Sequence, residues 1–108
     1  MRIEDKTQQE IKQLLQERER FLVFFYTPLC GTCTVAEKML LSLQMLWPEE
    51  LFVKVNANVV PELLQAEQIT SVPCLKVIEN GETLQTIYAF HSVPALLSRL
   101  SPLLRTSD

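Results

Sequence analysis

The sequence predicts an α/β fold in which helices flank both faces of a central mixed β-sheet. The run FLVFFY, residues 21–26, is apolar or aromatic at every position, which is typical of a strand covered on both faces. A strand, helix, strand succession around it predicts a right-handed parallel crossover. Further along, Asn80 and Gly81 separate two strand-like segments, which indicates a tight hairpin and an antiparallel pair. Parallel and antiparallel pairs together make the predicted sheet a mixed one.

A first helix is expected over about residues 7–19, because TQQE at its start has the pattern of a capping box and the next apolar residues keep helical spacing. Residues 21–26 are the expected central strand. A second helix follows, whose apolar positions recur at helical spacing until Pro48 ends the pattern. The motif CGTC therefore lies where a buried strand becomes a helix.

The second half of the chain predicts three more strands and two more helices. LFVKVN, residues 51–56, is the second strand, and Asn58 is expected to cap a short helix. The hairpin strands are CLKVIE and the segment at residues 82–89. Ser92 is expected to cap a last helix, which Pro102 should kink or end.

Length and charge narrow the class of protein. With 108 residues the chain is expected to form a single domain, residues 1–108, with a core that needs neither disulfides nor a metal. The net charge is -3 without a basic stripe, so neither nucleic acid nor a membrane surface is an expected partner. The N-terminus lacks an apolar export signal and three cysteines is an odd number, which together predict a cytoplasmic protein.

The cysteines of CGTC have the spacing and position of a reactive pair. Cys30 and Cys33 would lie on the first turn of the second helix, close enough to form a disulfide. Free amides and the positive end of the helix dipole favour a thiolate on Cys30 and lower its pKa. Cys30 is therefore the candidate nucleophile, and Cys33, one turn further in, is the candidate resolving thiol.

Two segments of the chain resemble the thioredoxin family. They are FFYTPLCGTC, a strand, a loop and CxxC, and SVPCLKVIENGE, a Val-Pro followed by a strand and an NG turn. The resemblance implies a thioredoxin-like fold and a thiol-disulfide oxidoreductase that serves cell redox homeostasis. It also implies that Cys30 attacks, that Cys33 resolves, and that Pro73 is a cis-proline facing them. Val72 would offer backbone hydrogen bonds to a substrate peptide, and Leu29 would belong to an apolar rim around Cys30.

The chain departs from the family's pattern near the thiols. Leu29 stands where thioredoxins carry tryptophan, and Thr32 stands where they carry proline. The family's buried aspartate, which is thought to exchange a proton with the resolving thiol, is Phe24 here. Lys54 matches a family lysine near that aspartate, but without its partner we expect a plain strand residue.

Cys74 and His91 are further candidate site residues. Cys74 follows Pro73 and is expected beneath or beside the pair, either as a small buried hydrophobe or as a third thiol that is oxidised, modified or joins a metal site. His91 is expected in a loop or at a helix entry. No metal site is expected, because a tetrahedral zinc site needs four ligands and a second CxxC is missing.

The predicted activity is exchange of dithiol for disulfide with protein substrates that carry disulfides or thiols. No bound cofactor is expected, regeneration is assigned to a separate reductase, and the chain is expected to act as a monomer. Two alternatives stay open. The chain could be a binding module on the same fold whose thiols hold a metal or a partner without turnover, or a redox sensor.

Overall fold

The computed structural model describes residues 2–104, which form five strands and four helices. In chain order these are β1 (Glu4–Asp5), α1 (Gln8–Glu17), β2 (Arg20–Tyr26), α2 (Gly31–Gln44), β3 (Phe52–Asn56), α3 (Pro61–Ala66), β4 (Cys74–Glu79), β5 (Glu82–Ile87) and α4 (Val93–Leu104). Single 3₁₀ turns at Glu49–Leu51 and Ala57–Val59 flank β3. None of the helices in this described part is long and apolar enough to cross a membrane.

The five strands form one mixed sheet in the order β1-β3-β2-β4-β5. The strand β2 is central, parallel to β3 and antiparallel to β4, as predicted. Five consecutive residues of β2, from Phe21 to Phe25, are buried because helices cover both faces. In register, Phe24 lies between Lys54 of β3 and Leu75 of β4. The strand β1 was not predicted: it is a two-residue parallel edge strand made of two acidic residues, which have no apolar pattern.

Two hydrophobic clusters pack on opposite faces of the sheet. The first lies under α2 and α4, and its sheet residues include Leu22, Phe24, Leu75 and Val77. The second lies under α1 and α3, and its sheet residues include Phe21, Val23, Phe25, Cys74 and Ile78. Alternate residues of each strand point to opposite faces, so Phe24 and Cys74 belong to different clusters.

Two features predicted from short sequence motifs are present, the N-terminal cap of α1 and the hairpin turn. The capping box of α1 is present: Thr7 Oγ1 accepts from the Glu10 amide at 3.2 Å, and Glu10 Oε1 accepts from the Thr7 amide at 2.9 Å. The hairpin turn has positive φ at Asn80 (52°) and Gly81 (80°), which matches the mirror-image turn predicted from NG. A Cβ at Gly81 would also lie 3.1 Å from the Leu15 carbonyl oxygen.

The ends of several elements differ from the predictions. The helix α2 ends at Gln44 instead of continuing to Pro48, and Met45 is 71% exposed. The strand β5 ends at Ile87, because its partner β4 begins only at Cys74 and the pairing runs out there. The apolar residues that directly follow α2 and β5 continue the hydrophobic pattern of the element before them, but they lie outside that element.

The predicted caps of the last two helices had different outcomes. Asn58 does not cap α3, which begins with Pro61 as its first residue after Val60. Asn56 acts instead one turn earlier, accepting from the Asn58 amide at 2.9 Å. The Ser92 cap of α4 is present, since its hydroxyl accepts from the Ala95 amide at 3.2 Å. Pro102 does not end α4, which includes Leu104.

Candidate active site

The thiol pair lies at the junction of β2 and α2. Cys30 is the N-cap residue of α2, and Cys33 lies in its first turn. Both thiols are free, and they differ in exposure: Cys30 is partly exposed, whereas Cys33 is only 2% exposed. A reagent or substrate that approaches from solvent therefore meets Cys30 first.

Hydrogen bonds converge on the sulfur of Cys30. The Cys33 backbone N–H donates to Cys30 Sγ over 3.2 Å, and the Thr32 hydroxyl lies 3.3 Å from the same atom. The hydrogen bond from the Cys33 side chain, followed by that from Thr32, lowers the pKa of Cys30 below the ordinary range of a thiol. The N-terminal end of α2 acts in the same direction. Cys30 is thus the thiol that ionises more readily.

Cys33 has the opposite character. Burial, followed by its hydrogen bond to Cys30, raises the pKa of Cys33 to about 11. Its thiol belongs to the cluster under α2 and α4, where the surroundings are mostly apolar and Thr27 is a polar neighbour that hydrogen-bonds to it. At neutral pH Cys33 is therefore protonated, and it must lose a proton before it can attack a disulfide.

This difference predicts unequal alkylation of the three thiols. In the folded, reduced protein, iodoacetamide should modify Cys30 at neutral pH, whereas Cys33 and Cys74 should react only as the pH approaches their raised pKa values of about 11. Because a thiol reacts as its thiolate, each unit of pKa separation changes the reactive fraction about tenfold. Peptide mapping by mass spectrometry after timed quenching measures the three rates. Equal rates would contradict the assignment of Cys30 as the nucleophile.

Phe24 fills the apolar interior beside the pair. It is 1% exposed and lies in the same cluster as Cys33. Its ring stacks with Tyr26 at 6.2 Å between centroids and meets Phe90 edge-on at 5.9 Å. The side chain at this position therefore supplies packing and has no group that could take a proton.

Lys54 is not the plain strand residue that we expected. Its Nζ forms an ion pair with Glu37 Oε2 of α2 at 3.0 Å and lies 5.1 Å from the centre of the Tyr26 ring. The Tyr26 hydroxyl in turn donates to Asp5 Oδ2 at 2.6 Å. No pattern in the sequence indicates this arrangement, because Glu37 and Lys54 are 17 residues apart and belong to different elements.

The three residues predicted to bind substrate differ in exposure. Leu29, directly before Cys30, is fully exposed, and Val72 and Pro73 are half-buried. The Val72-Pro73 peptide bond is cis, as the resemblance implied. Their roles toward a substrate stay predictions.

A mostly apolar groove of about 380 Å³ begins beside the thiol pair. Its lining residues come from α2, the cis-proline segment and the segment after β5, and they are Thr32, Val35, Ala36, Met39, Pro73, Tyr88, Phe90 and His91. His91 lies in a loop, as expected, with a φ of 55°. Its place at the groove was not predicted, because only the return of the hairpin toward α2 brings it there.

Cys74 does not lie beneath the thiol pair. It is fully buried in the cluster under α1 and α3, on the opposite face of the sheet from Cys33. Burial raises the pKa of Cys74 to about 11. Cys74 therefore has the character of a small buried hydrophobe. Among the residues that the structure describes, no group of three or more His, Cys, Asp or Glu side chains could hold a metal ion.

Comparison with known proteins places this site in a family. The family model described as Thioredoxin matches residues 2–101. The chain belongs to the thioredoxin family. It is 41% identical over 80 residues to thioredoxin-like protein YusE of Bacillus subtilis, covering 74% of this chain and 76% of that protein. It is 28% identical over 81 residues to thioredoxin 1 of Plasmodium falciparum, covering 75% and 78% of the two chains.

Solved structures of thioredoxins share the fold of this thioredoxin-family chain. Thioredoxin f2 of Chlamydomonas reinhardtii superimposes with a TM-score of 0.84 at 20% identity, over 97% of this chain and 99% of that one. Oxidised thioredoxin of Plasmodium falciparum gives 0.82 at 24% identity, over 94% and 97%. The predicted thioredoxin-like fold is confirmed. Family membership together with the Cys30 and Cys33 pair also supports the predicted class, a thiol-disulfide oxidoreductase.

Proposed function

We propose that this chain exchanges its Cys30 and Cys33 dithiol for a disulfide in protein substrates. The Cys30 thiolate attacks a substrate disulfide, which releases one substrate thiolate and forms a mixed disulfide. The Cys33 thiolate then attacks Cys30 Sγ, which releases the second substrate thiolate and leaves a Cys30 to Cys33 disulfide. The substrate gains two electrons, which the chain loses; the protons of the two chain thiols go to solvent, and the two substrate thiolates take up protons from solvent.

The observation that supports this proposal most is the asymmetry of the pair. One sulfur is partly exposed and accepts a backbone hydrogen bond at 3.2 Å, while the other is buried one turn further into the same helix. The opposite pKa shifts of Cys30 and Cys33 follow from that difference. Attack from solvent and resolution from inside are the roles that this arrangement favours.

The surroundings suggest how a substrate is held. Leu29 directly precedes Cys30 and is fully exposed, Val72 directly precedes Pro73, and Pro73 lines the mostly apolar groove together with Thr32. We assign substrate binding to these three residues. A separate reductase would return the disulfide to the dithiol. We further propose that the protein is cytoplasmic, that it acts as a monomer, and that residues 1–108 form one domain.

Turnover of a disulfide tests the proposed function. The reduced protein, mixed with a fluorescent peptide disulfide, should reduce about one equivalent per chain in the absence of other thiols. Cys30→Ser should abolish this reaction, because the attacking thiolate is lost. Cys74→Ser serves as the matched control and should keep it, because Cys74 lies on the other face of the sheet. Equal loss in both variants, or no reduction by the unaltered chain, would contradict the proposal.

A further inference from the structure

Resolution by Cys33 requires a proton acceptor, and the interior around the thiol supplies none. Cys33 is buried in a largely apolar cluster, the groups that hydrogen-bond to its thiol are Cys30 and Thr27, and Phe24 of the same cluster cannot accept a proton. A carboxylate reaches this region from the helix instead. Glu37 follows Cys33 by four residues on α2, a spacing that places two side chains on one helix face with their Cβ atoms about 5–6 Å apart.

Glu37 is held toward the sheet. Its Oε2 pairs with Lys54 Nζ at 3.0 Å, and Lys54 lies directly beside Phe24 in the register of β3 and β2. Since alternate residues of β3 share a face, Lys54 belongs to the face that α2 covers. The Glu37 carboxylate is therefore held over the face of the sheet that carries Phe24, the face against which Cys33 also packs.

We propose that Glu37 accepts the proton of Cys33 when the mixed disulfide is resolved, and that Lys54 positions Glu37 for this step. The inference rests on the proposed function. The proton of the Cys33 thiol passes to the carboxylate, the resulting thiolate attacks Cys30 Sγ, and the substrate leaves as a thiolate. Glu37 then returns the proton to solvent. No oxidant or reductant other than the substrate disulfide takes part.

The carboxylate has the access to solvent that this role needs. The side chains of Glu37 and Lys54 are 26% and 21% exposed, so the pair lies between the core and water. In the part of the chain that the structure describes, Glu37 Oε2 is engaged by Lys54 and Oε1 has no protein hydrogen-bond donor. The other titratable or charged groups around the ion pair of Glu37 and Lys54 are Tyr26 from β2 and three residues of the N-terminal segment, Arg2, Glu4 and Asp5.

The test measures attack by Cys30 and resolution by Cys33 separately in the variant Glu37→Gln. Rapid acid quenching and mass spectrometry after mixing with the peptide disulfide follow the rise and decay of the Cys30 adduct. We expect an unchanged rise and a decay about a hundredfold slower at about pH 7, the lower end of what a positioned base contributes. Toward about pH 10 the two decay rates should converge, since hydroxide then ionises an increasing share of Cys33 without help.

Two further variants test whether the slower decay is specific to Glu37 and whether Lys54 acts through Glu37. Glu62→Gln is the matched control, because it removes an exposed carboxylate that is far from the thiols in sequence. Glu62 pairs with Lys12 at 3.4 Å, and its replacement should leave both the rise and the decay of the adduct unchanged. Lys54→Gln should slow decay, and the double variant Glu37→Gln with Lys54→Gln should be no slower than Glu37→Gln alone, because Lys54 acts through Glu37.

The outcomes distinguish this inference from the proposed function. Absence of any Cys30 adduct in the unaltered protein would overturn both. A normal adduct that decays equally fast with and without Glu37 at about pH 7 would overturn only the role of Glu37. A decay slowed by the same factor at every pH would also overturn it, because it would show a structural effect.

Discussion

Replacing Cys33 with serine should convert the protein into a trap that stays covalently bound to its substrates. Cys30 keeps its thiolate and still attacks, but no second sulfur lies behind it to release the product. Well-placed intramolecular groups act at effective concentrations far above those of free thiols, so release should slow by roughly a thousandfold or more. Adducts that form with a peptide disulfide and vanish on addition of reductant, seen in non-reducing gels and by intact mass, measure the effect.

The matched variants test which thiol forms the adduct with the substrate. Cys30→Ser should capture almost nothing, because the remaining thiol Cys33 is buried and its pKa is raised to about 11. Cys33→Ser combined with Cys74→Ser should capture as much as Cys33→Ser alone. Equal capture by Cys30→Ser and Cys33→Ser would contradict the assigned roles, whereas capture lost with Cys74 would place the attacking thiol elsewhere.

Replacing Phe24 with aspartate should weaken the fold and speed resolution at the same time. Phe24 is 1% exposed and packs against Tyr26 and Phe90, so we expect the free energy of unfolding to fall by about 3–5 kcal/mol. The new carboxyl would lie beside Lys54 and in the same cluster as Cys33. It should therefore accelerate decay of the Cys30 adduct, most clearly in the Glu37→Gln background. Denaturant unfolding and rapid quenching measure the two effects.

Phe24→Leu is the matched control for this change. It keeps an apolar side chain, should lower the free energy of unfolding by only about 1 kcal/mol, and should leave adduct decay unchanged. If Phe24→Asp unfolds at the expected lower denaturant concentration but its adduct decays no faster in either background, proton removal from Cys33 does not limit release.

Most of the fold could be predicted because its signals are local. The capping box at Thr7 and Glu10, the apolar run of β2 and the NG turn each act within a few residues, and each element formed as predicted. The misses also have physical causes. The strand β1 is Glu4 and Asp5, which pair with β3 through backbone groups that no side-chain pattern reports. Asn58 does not cap α3, because Pro61 sets the start of that helix, and Asn56 caps the 3₁₀ turn before it.

The site was predictable to the extent that it lies within one segment. CGTC at the start of a helix placed Cys30 and Cys33 and indicated their difference, since both depend on the first turn of α2. The face of the sheet on which Cys74 packs was not predicted, because it depends on which face of β4 each residue occupies. The ion pair of Glu37 with Lys54 depends on how α2 crosses β3, and no pattern in the sequence reports that crossing.

Mapping the disulfide that forms in the reduced protein tests the central claim most directly. The folded chain is treated with less than one equivalent of peptide disulfide, alkylated, digested without reductant and analysed by mass spectrometry, with metal content measured on the same sample. We predict a disulfide between Cys30 and Cys33 within one chain, with Cys74 alkylated only after unfolding. A product in which Cys74 is oxidised, or an unreacted pair with a bound metal ion, would contradict the account.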